Sequence, residues 1–320
     1  MGVIWIRIPY FFTILLIVGA SAMSTASSDQ VYSFITKWGS KGSGDGQFVT
    51  PHTLAFDSLG NAYVTDTDNQ RVQKFSNEGK FVTKWGSKGA GNGQFHNPEG
   101  IDVDSKGNVY VADTANSRIQ KFSADGKFIT KWGSKGSGNG QFSSHVHGLV
   151  IDSTDNVYVT DRFNYNIQKF SSDGKFITKW GSKGSDIGQF NEPHSSALDS
   201  SGNIYVSDTR NFRIQKFTPD GKFITKWGTE GYGDGQFILP LGIDIDRFDR
   251  VYIVDQGKST VMLFSSNGNP IPSELKPATV GANNSSVLED VELDQSDRIY
   301  ITDRGEQDIK IYQNVIYRNP

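Results

Sequence analysis

Residues 95–122 read FHNPEGIDVDSKGNVYVADTANSRIQKF, and most of this stretch alternates between apolar and polar side chains. Alternation with a period of two, rich in β-branched and aromatic residues, is typical of β-strands. The pattern predicts strands a, b and c at residues 100–104, 108–112 and 118–122, and a strand d at 127–132. Gly107 and Gly126 supply tight turns between neighbouring antiparallel strands.

The four-strand pattern recurs along the chain with a period of 47 or 48 residues. Its first marker is the tripeptide Lys-Trp-Gly, whose tryptophans are Trp38, Trp85, Trp132, Trp180 and Trp227. Its second marker is a pair of aspartates nine positions apart, namely Asp57 and Asp66, Asp104 and Asp113, Asp152 and Asp161, Asp199 and Asp208, Asp246 and Asp255, and Asp294 and Asp303. Six units of one period predict a single repetitive domain.

Both ends of this array are incomplete. Residues 32–39 form a strand d with no a, b or c before it, whereas the sixth unit stops at a strand c, residues 309–312. A closed ring satisfies both ends at once and protects the strand edges that an open array exposes. The sequence therefore predicts an all-β fold, a six-bladed β-propeller of four-stranded antiparallel blades in which the N-terminal strand completes the last blade.

Residues 95–104 and 110–122 resemble a typical NHL repeat, and the resemblance covers residues 31–320. Units one to four match closely, unit five has QGKST at 256–260 where other units have a Thr-x-Asn-x-Arg pattern, and unit six matches least. The resemblance implies the six-bladed propeller just described, as one domain over residues 31–320. The period and the missing Trp-Asp signature argue against WD40 repeats, which are about 40 to 45 residues long.

Composition excludes several classes of function. The chain has a net charge of −3, so nothing in its overall charge favours nucleic acid or an anionic membrane as a partner. It has no cysteine, which excludes disulfides, thiolate metal sites, cysteine nucleophiles and RING or B-box modules. The RNA-binding role of NHL domains attached to such modules is therefore the interpretation that the sequence favours least.

The first 26 residues predict export. Arg7 precedes an apolar run over residues 8–20, and small residues around Ala22 and Ala26 fit signal-peptide cleavage. The run is shorter than the roughly 20 residues of a spanning helix, although residues 3–20 approach that length if Arg7 reaches the interface. We therefore predict a monomer that is secreted after cleavage, or one anchored to the outer face of the membrane by residues 1–26.

Most repeated polar residues have a structural explanation. The two aspartates of each unit lie at the ends of strands a and b, where a carboxylate accepts hydrogen bonds from turn amides. The glycine-rich loops, such as residues 39–46, are followed by a strand and not by the helix that a phosphate-binding loop requires. The repeated lysines of strands c and d are expected on solvated outer edges, where they discourage sheet addition.

One repeat position breaks this uniformity. Five residues before the first aspartate of each unit stand, in order, His52, Glu99, His147, His194, Leu241 and Glu289. In a propeller this position begins the innermost strand, at the mouth of the central channel. Imidazole and carboxylate are ligands suited to zinc, copper or another divalent metal. We therefore expect a metal site formed by His52, His147, His194, Glu99 and Glu289, and the alternative is that each histidine only hydrogen-bonds the backbone.

The loops between strands b and c reach the same face. They carry cations and aromatics suited to a polar or anionic ligand, namely Arg162, Phe163, Tyr165, Arg210, Phe212 and Arg304. Ordinary variation of exposed loops is the competing explanation.

Two functions remain open on the sequence alone. The interpretation that we favour is an exported binding module that presents this face to a protein, peptide or glycan, as many NHL proteins act as interaction platforms. The alternative is a metal-dependent lyase or hydrolase. Peptidyl-hydroxyglycine amidating lyases are similar in being NHL propellers with a channel zinc on three histidines, but Leu241 stands where an alternate-blade trio would place its third ligand.

Export is testable at the N-terminus. We expect the mature chain to begin near Met23 or Ser27, because cleavage after Ala22 or Ala26 fits the small residues there. Mass spectrometry of the native protein measures this, and a full-length soluble cytoplasmic species would contradict it. A full-length membrane-bound species would instead identify the anchored form.

Overall fold

The computed structural model describes residues 31–273, 275 and 285–315, and the predicted signal or anchor segment lies outside them. Within these ranges the chain forms 24 strands and three 3₁₀ turns, at Thr114–Asn116, Thr209–Asn211 and Gln256–Lys258. No helix among the described residues has the length and apolar character needed to cross a membrane.

The strands form six separate four-stranded antiparallel sheets, which confirms the predicted fold class. From the channel outward, blade 1 contains β2 (Pro51–Phe56), β3 (Ala62–Asp66), β4 (Arg71–Phe75) and β5 (Phe81–Trp85). Blade 2 contains β6 (Pro98–Val103), β7 (Val109–Asp113), β8 (Arg118–Phe122) and β9 (Phe128–Trp132). Blade 3 contains β10 (Val146–Ile151), β11 (Val157–Asp161), β12 (Asn166–Phe170) and β13 (Phe176–Trp180).

The remaining blades follow the same order. Blade 4 contains β14 (Pro193–Leu198), β15 (Ile204–Asp208), β16 (Arg213–Phe217) and β17 (Phe223–Trp227). Blade 5 contains β18 (Pro240–Ile245), β19 (Val251–Asp255), β20 (Thr260–Phe264) and β21 (Pro270–Ile271). Blade 6 contains β22 (Leu288–Leu293), β23 (Arg298–Asp303), β24 (Asp308–Asn314) and the N-terminal β1 (Tyr32–Trp38). The six a strands contact one another in sequence, and β22 contacts β2, so they line the channel.

The N-terminal strand closes the ring, as predicted. β1 pairs antiparallel with β24, with Tyr32 opposite Asn314 and Trp38 opposite Ile309. The Nζ of Lys37 lies 2.7 Å from the buried Asp308 carboxylate. Closure therefore combines backbone pairing with an ion pair across the two ends of the chain.

Aromatic side chains fill the spaces between blades. The Trp38 ring, on the outer strand of blade 6, lies 5.9 Å from that of Phe75 in blade 1 and 5.3 Å from that of Tyr300 in its own blade. Trp85, Trp132, Trp180 and Trp227 each pack in the same way on a phenylalanine of the next blade. The Lys-Trp-Gly repeat therefore marks the contact that joins each blade to its successor.

The repeated aspartates are structural, as expected. Asp57 accepts hydrogen bonds from the backbone N–H groups of Leu59 and Asn61 and from the Tyr63 hydroxyl. Asp66 accepts from the Nε of Arg71, whose remaining nitrogens donate to three backbone carbonyls of the loop that enters the blade. Each blade thus uses one carboxylate for its a–b turn and the other to fasten its entry loop.

The expectation for the strand c lysines was wrong. The side chains of Lys74, Lys121, Lys169 and Lys216 are largely buried and lie close to the first aspartate of their own blade. Each ammonium group also lies over a tyrosine ring, at 4.6 to 4.8 Å. The next blade covers strand c, so each of these lysines balances the charge of a largely buried aspartate and does not face solvent.

Closure predicts a stability effect. Deletion of residues 32–38 should lower the free energy of unfolding, because it leaves the edge of β24 unpaired. Trp38→Ala should also lower it, because the contacts of Trp38 with Phe75 and Tyr300 are lost. For the half-buried Trp38 we expect the lower end of the roughly 3–5 kcal/mol typical of Trp→Ala. Urea unfolding measures this, with Val82→Ala on the exposed face of an outer strand as control. An unchanged unfolding midpoint in the deletion variant would contradict closure by β1.

Candidate metal centre at the channel mouth

Six side chains from one repeat position meet at the mouth of the channel. Each is the second residue of an innermost strand, in the order His52, Glu99, His147, His194, Leu241 and Glu289. The pairing between strands a and b shifts register here in every blade, for example between Pro51 and Leu54. Such bulges redirect a side chain away from the sheet surface. The local irregularity thus explains how this position faces its counterparts in the other blades.

The three histidines and one glutamate form a compact group. One candidate ligand atom from each of His52, His147, His194 and Glu289 lies within 4.8 Å of all the others. The ring centroids of His147 and His194 are 4.2 Å apart. The Oε1 atom of Glu289 lies 3.2 Å from Nε2 of His52 and 3.3 Å from Nε2 of His194. We call these four residues the His/Glu cluster.

Neighbouring side chains hold Glu289 in place. Its second oxygen, Oε2, accepts a hydrogen bond of 2.9 Å from Nη1 of Arg304. The Nε2 of Gln256 donates to the same oxygen at 3.3 Å. Because Oε2 is occupied by these donors, Oε1 is the oxygen that faces the histidines.

Glu99 and Leu241 complete the ring in different ways. The Oε2 atom of Glu99 lies 3.2 Å from Nε2 of His147 and has no hydrogen-bond partner among the described residues. Glu99 is not part of the His/Glu cluster, although the sequence predicted one metal site that contains Glu99 and all four cluster residues. Leu241 is buried and contributes no ligand. The structure therefore brings together three histidines and one of the two predicted glutamates, with the other glutamate adjacent.

Burial keeps the imidazoles of His52 and His147 neutral. It lowers the pKa of His52 to about 4, although the nearby Glu289 opposes this, and it lowers the pKa of His147 well below its usual value. Burial alone would raise the pKa of Glu289, but its interactions with His52 and His194 and the charge of Arg304 hold it below its usual range. Burial and the charge of Glu289 raise the pKa of Glu99 to about 8. Neutral imidazole beside an ionised carboxylate is the protonation state that metal binding requires.

Four further carboxylates line the channel beyond the cluster, around a cavity of about 50 Å³. They are Asp102, Asp244, Asp290 and Glu292, which the sequence analysis did not single out. Asp102 accepts a hydrogen bond from the backbone of Ile151 in the next blade, and Asp244 does the same from Leu293. Burial raises the pKa of Asp102 and of Asp244 to about 7 and raises those of Asp290 and Glu292 well above their usual values. For Asp102, Asp244 and Glu292 the available signal was an acid at the repeat position where the other blades have Ala55, Val150 and Ala197. Asp290 stands at a different position, where the other blades have Thr53, Gly100, Gly148, Ser195 and Gly242.

The six predicted ligand-contacting residues do not form one group. Arg304 reaches the His/Glu cluster, whereas Arg162 binds Glu192, with the Nε of Arg210 3.6 Å from the same carboxylate. Phe163 is exposed, and its ring lies 4.3 Å from that of His145. The other two aromatics, Tyr165 and Phe212, pack against buried clusters between blades. Arg162, Phe163, Arg210 and Glu192 are called the rim below.

The channel carboxylates predict a pH-dependent stability. The folded state retains a proton on Glu292 at pH values where the unfolded chain has released it, so stability is lost as pH rises above the unfolded pKa of about 4.3. Glu292→Gln removes this loss and should be more stable than the parent at pH 8, with little difference near pH 4.5. The gain should grow by up to about 1.4 kcal/mol per pH unit in that window.

Thermal or urea unfolding at the two pH values measures this gain. Glu78→Gln, on the exposed surface, is the matched control and should show no gain at pH 8. A Glu292→Gln variant with the pH dependence of the parent would contradict the protonated state of this carboxyl.

Comparison with known proteins agrees with the fold. Residues 48–75, 95–122 and 190–217 match the family model of the NHL repeat. No protein with a curated description matches the sequence.

Similar solved structures include virginiamycin B lyase from Staphylococcus aureus, at 15% identity over 83% of this chain and 96% of that chain, with a TM-score of 0.61. A gluconolactonase from Xanthomonas campestris matches at 16% identity over 85% of this chain and 88% of that chain, with a TM-score of 0.64. A protein of unknown function from Bacteroides thetaiotaomicron matches at 20% identity over 89% of this chain and 76% of that chain, with a TM-score of 0.65. These likenesses show the fold. The chain therefore contains NHL repeats at the three matched positions and folds as a six-bladed β-propeller.

Proposed function

We propose that this protein is a metal-dependent enzyme, a lyase or hydrolase, whose divalent metal is held at the channel mouth by the His/Glu cluster. The observation that carries the proposal is the convergence of three buried histidines and a buried carboxylate from four different blades within 4.8 Å. A structural role shared by all six blades explains neither why histidines stand at this position nor why their side chains converge. A divalent transition metal such as zinc or copper suits these ligands.

The spacing of the cluster fits a metal. Ligand atoms bound at about 2.0–2.2 Å lie roughly 3–4 Å apart around a tetrahedral or octahedral centre. The contacts of Glu289 Oε1 with His52 and His194, at 3.2 and 3.3 Å, fall in this range. The Nδ1 atom of His147, whose Nε2 faces Glu99, is buried without a hydrogen-bond partner among the described residues. Buried polar atoms without partners are costly, and a bound cation would offset part of that cost.

The chain's own residues supply the remaining parts of a reaction site. When bound, a divalent metal supplies Lewis acidity and lowers the pKa of a coordinated water. Arg304 and Gln256 fix Glu289 with one oxygen toward the histidines. Glu99 places a carboxyl oxygen beside His147, where it can exchange a proton with a bound substrate.

The binding-module interpretation has its own support at the rim, where Phe163 is exposed beside Arg162 and Arg210. Rim residues of this kind serve either function, since an enzyme also needs to bind its substrate. The lyase and the gluconolactonase described above are enzymes, so catalysis occurs on this fold. Their sequence identity is too low for their substrates to be transferred to this chain.

Metal stoichiometry tests the proposal. The purified protein should retain about one equivalent of zinc or cobalt per chain after loading and dialysis, and His52→Ala/His194→Ala should lose it, because both imidazoles lie against Glu289 Oε1. His96→Ala is the matched control and should retain the metal, since His96 is exposed and outside the cluster. Elemental analysis and the visible spectrum of the cobalt form measure the loss.

A parent protein with no metal above background after loading would contradict the metal centre. Retention of metal by the double variant would contradict the assigned ligands. A metal-loaded protein that shows neither lyase nor hydrolase activity on ester, lactone and amide substrates would favour the binding module instead.

A further inference from the structure

The position after the second aspartate of each blade normally ties one blade to the next. Three threonines there donate hydroxyl hydrogen bonds of 2.7 Å to a carbonyl of the following innermost strand: Thr67 to Pro98, Thr114 to Val146 and Thr209 to Pro240. In blade 5 Gln256 makes the equivalent bond through its Nε2, to Leu288 at 2.8 Å. Four of the six blades therefore use this position for structure.

Blades 3 and 6 have Arg162 and Arg304 at this position. Among the described residues, neither guanidinium donates to a carbonyl of the next blade. Arg162 binds the carboxylate of Glu192, and Arg304 binds that of Glu289. In blade 3 the tie to the next blade becomes an ion pair, because Glu192 directly precedes β14 of blade 4, whereas Arg304 binds within its own blade. A neutral hydroxyl or amide makes this tie in the other four blades, so repeat maintenance does not require a guanidinium at either position.

The two arginines stand on opposite sides of the mouth. The blades follow one another around the ring, so blades 3 and 6 face each other across the channel. Arg304 contacts the His/Glu cluster directly, through Oε2 of Glu289 at 2.9 Å. Arg162 binds Glu192, which stands two residues before His194 on the same side of the mouth. The side chains of Arg304 and Arg162 remain 40% and 25% exposed, so a ligand can reach them.

The charge at the mouth favours an anion. Arg162 and Arg210 share a single carboxylate, Glu192, and Arg304 shares Glu289 with the histidines. A divalent metal would add two further positive charges beside Glu289. Guanidinium binds carboxylate or phosphate through two parallel hydrogen bonds, and Glu192 already fixes the orientation of Arg162.

We propose that Arg162 and Arg304 bind an oxyanion group, a carboxylate or a phosphate, of a small-molecule substrate at the channel mouth. The proposal rests on the metal centre described above only for the position of the reacting group, because the arginine pair is present without a metal. Arg304 has a second role as a positioning residue, since it also fixes Glu289.

Calorimetric titration of the full chain with succinate tests this inference, with the uncharged succinamide as the matched ligand. Titration with inorganic phosphate determines which oxyanion is preferred. We expect succinate or phosphate to bind the metal-free protein, and to bind the cobalt-loaded protein more tightly, whereas succinamide should bind neither. Arg162→Gln should weaken anion binding about tenfold, the effect of losing one charge-assisted pair.

Two further variants distinguish anion binding at the mouth from two other effects. One is the general positive charge of the surface, and the other is the positioning of Glu289 for the metal. Arg247→Gln, which removes an exposed positive charge paired with Asp297 outside the mouth, should bind succinate like the parent. Arg304→Lys keeps the charge and should retain most of the anion affinity, while cobalt binding reports whether Glu289 is still held.

Equal binding of succinate and succinamide would overturn the inference, as would Arg162→Gln with the affinity of the parent. Neither result concerns metal stoichiometry, so this failure is distinguishable from failure of the metal centre. Conversely, a protein that binds the anion but takes up no cobalt would support anion binding by the two arginines and would contradict only the metal centre.

Discussion

Pairing of β1 with β24 is the interaction on which the candidate site depends. His52 belongs to the first blade and Glu289 to the last, and these two blades become neighbours only when the N-terminal strand completes blade 6. The Thr302 hydroxyl then donates to the carbonyl of His52, and Glu289 Oε1 comes within 3.2 Å of His52 Nε2. The cluster is thus assembled by residues 237 positions apart, and no single blade contains it.

The repeat explains why so few polar residues are free for chemistry. Asp57 accepts hydrogen bonds in its turn, Asp66 accepts from Arg71, and Thr67 donates to the next blade. The same three interactions recur in blades 2 and 4. A position that is occupied in every blade by the same hydrogen bond gives no reason to infer a ligand. Departures from that rule are informative, and they occur twice on one face: at the second residue of strand a and at the position held by Arg162 and Arg304.

Much of this could be predicted from the sequence because the repeat supplies its own internal comparison. The period predicted the blades, the unmatched ends predicted closure, and the shared position of the three histidines predicted their convergence. Which glutamate joins them could not be predicted. Glu99 and Glu289 occupy the same repeat position, and the difference depends on Arg304 and Gln256, which hold one carboxylate toward His52 and His194.

Other features escaped sequence analysis for reasons of packing. A lysine in an outer strand looks solvated until the adjoining blade covers it, as happens to Lys74 over Tyr63. Tyr165 and Phe212 stand in loops of variable sequence, yet both have positive φ and turn back into the apolar layer between blades. The channel carboxylates were missed because the alternation of strand a was used only to predict a strand, although the axis of a propeller is a separate environment from its blade interfaces.

The electrostatic contrast along the channel is a second physical argument, beside the convergence of the ligands, for a cation at the mouth. Burial disfavours charge on every group there, and it holds His52 and His147 neutral. Glu289 is nevertheless kept ionised by its neighbours, whereas Asp290, one residue further along the same strand, has a pKa raised well above its usual value. Sustaining a charged carboxylate among neutral imidazoles costs desolvation energy that Arg304 offsets only on one oxygen. The other oxygen faces the histidines, and a shared divalent metal would satisfy all four ligands there.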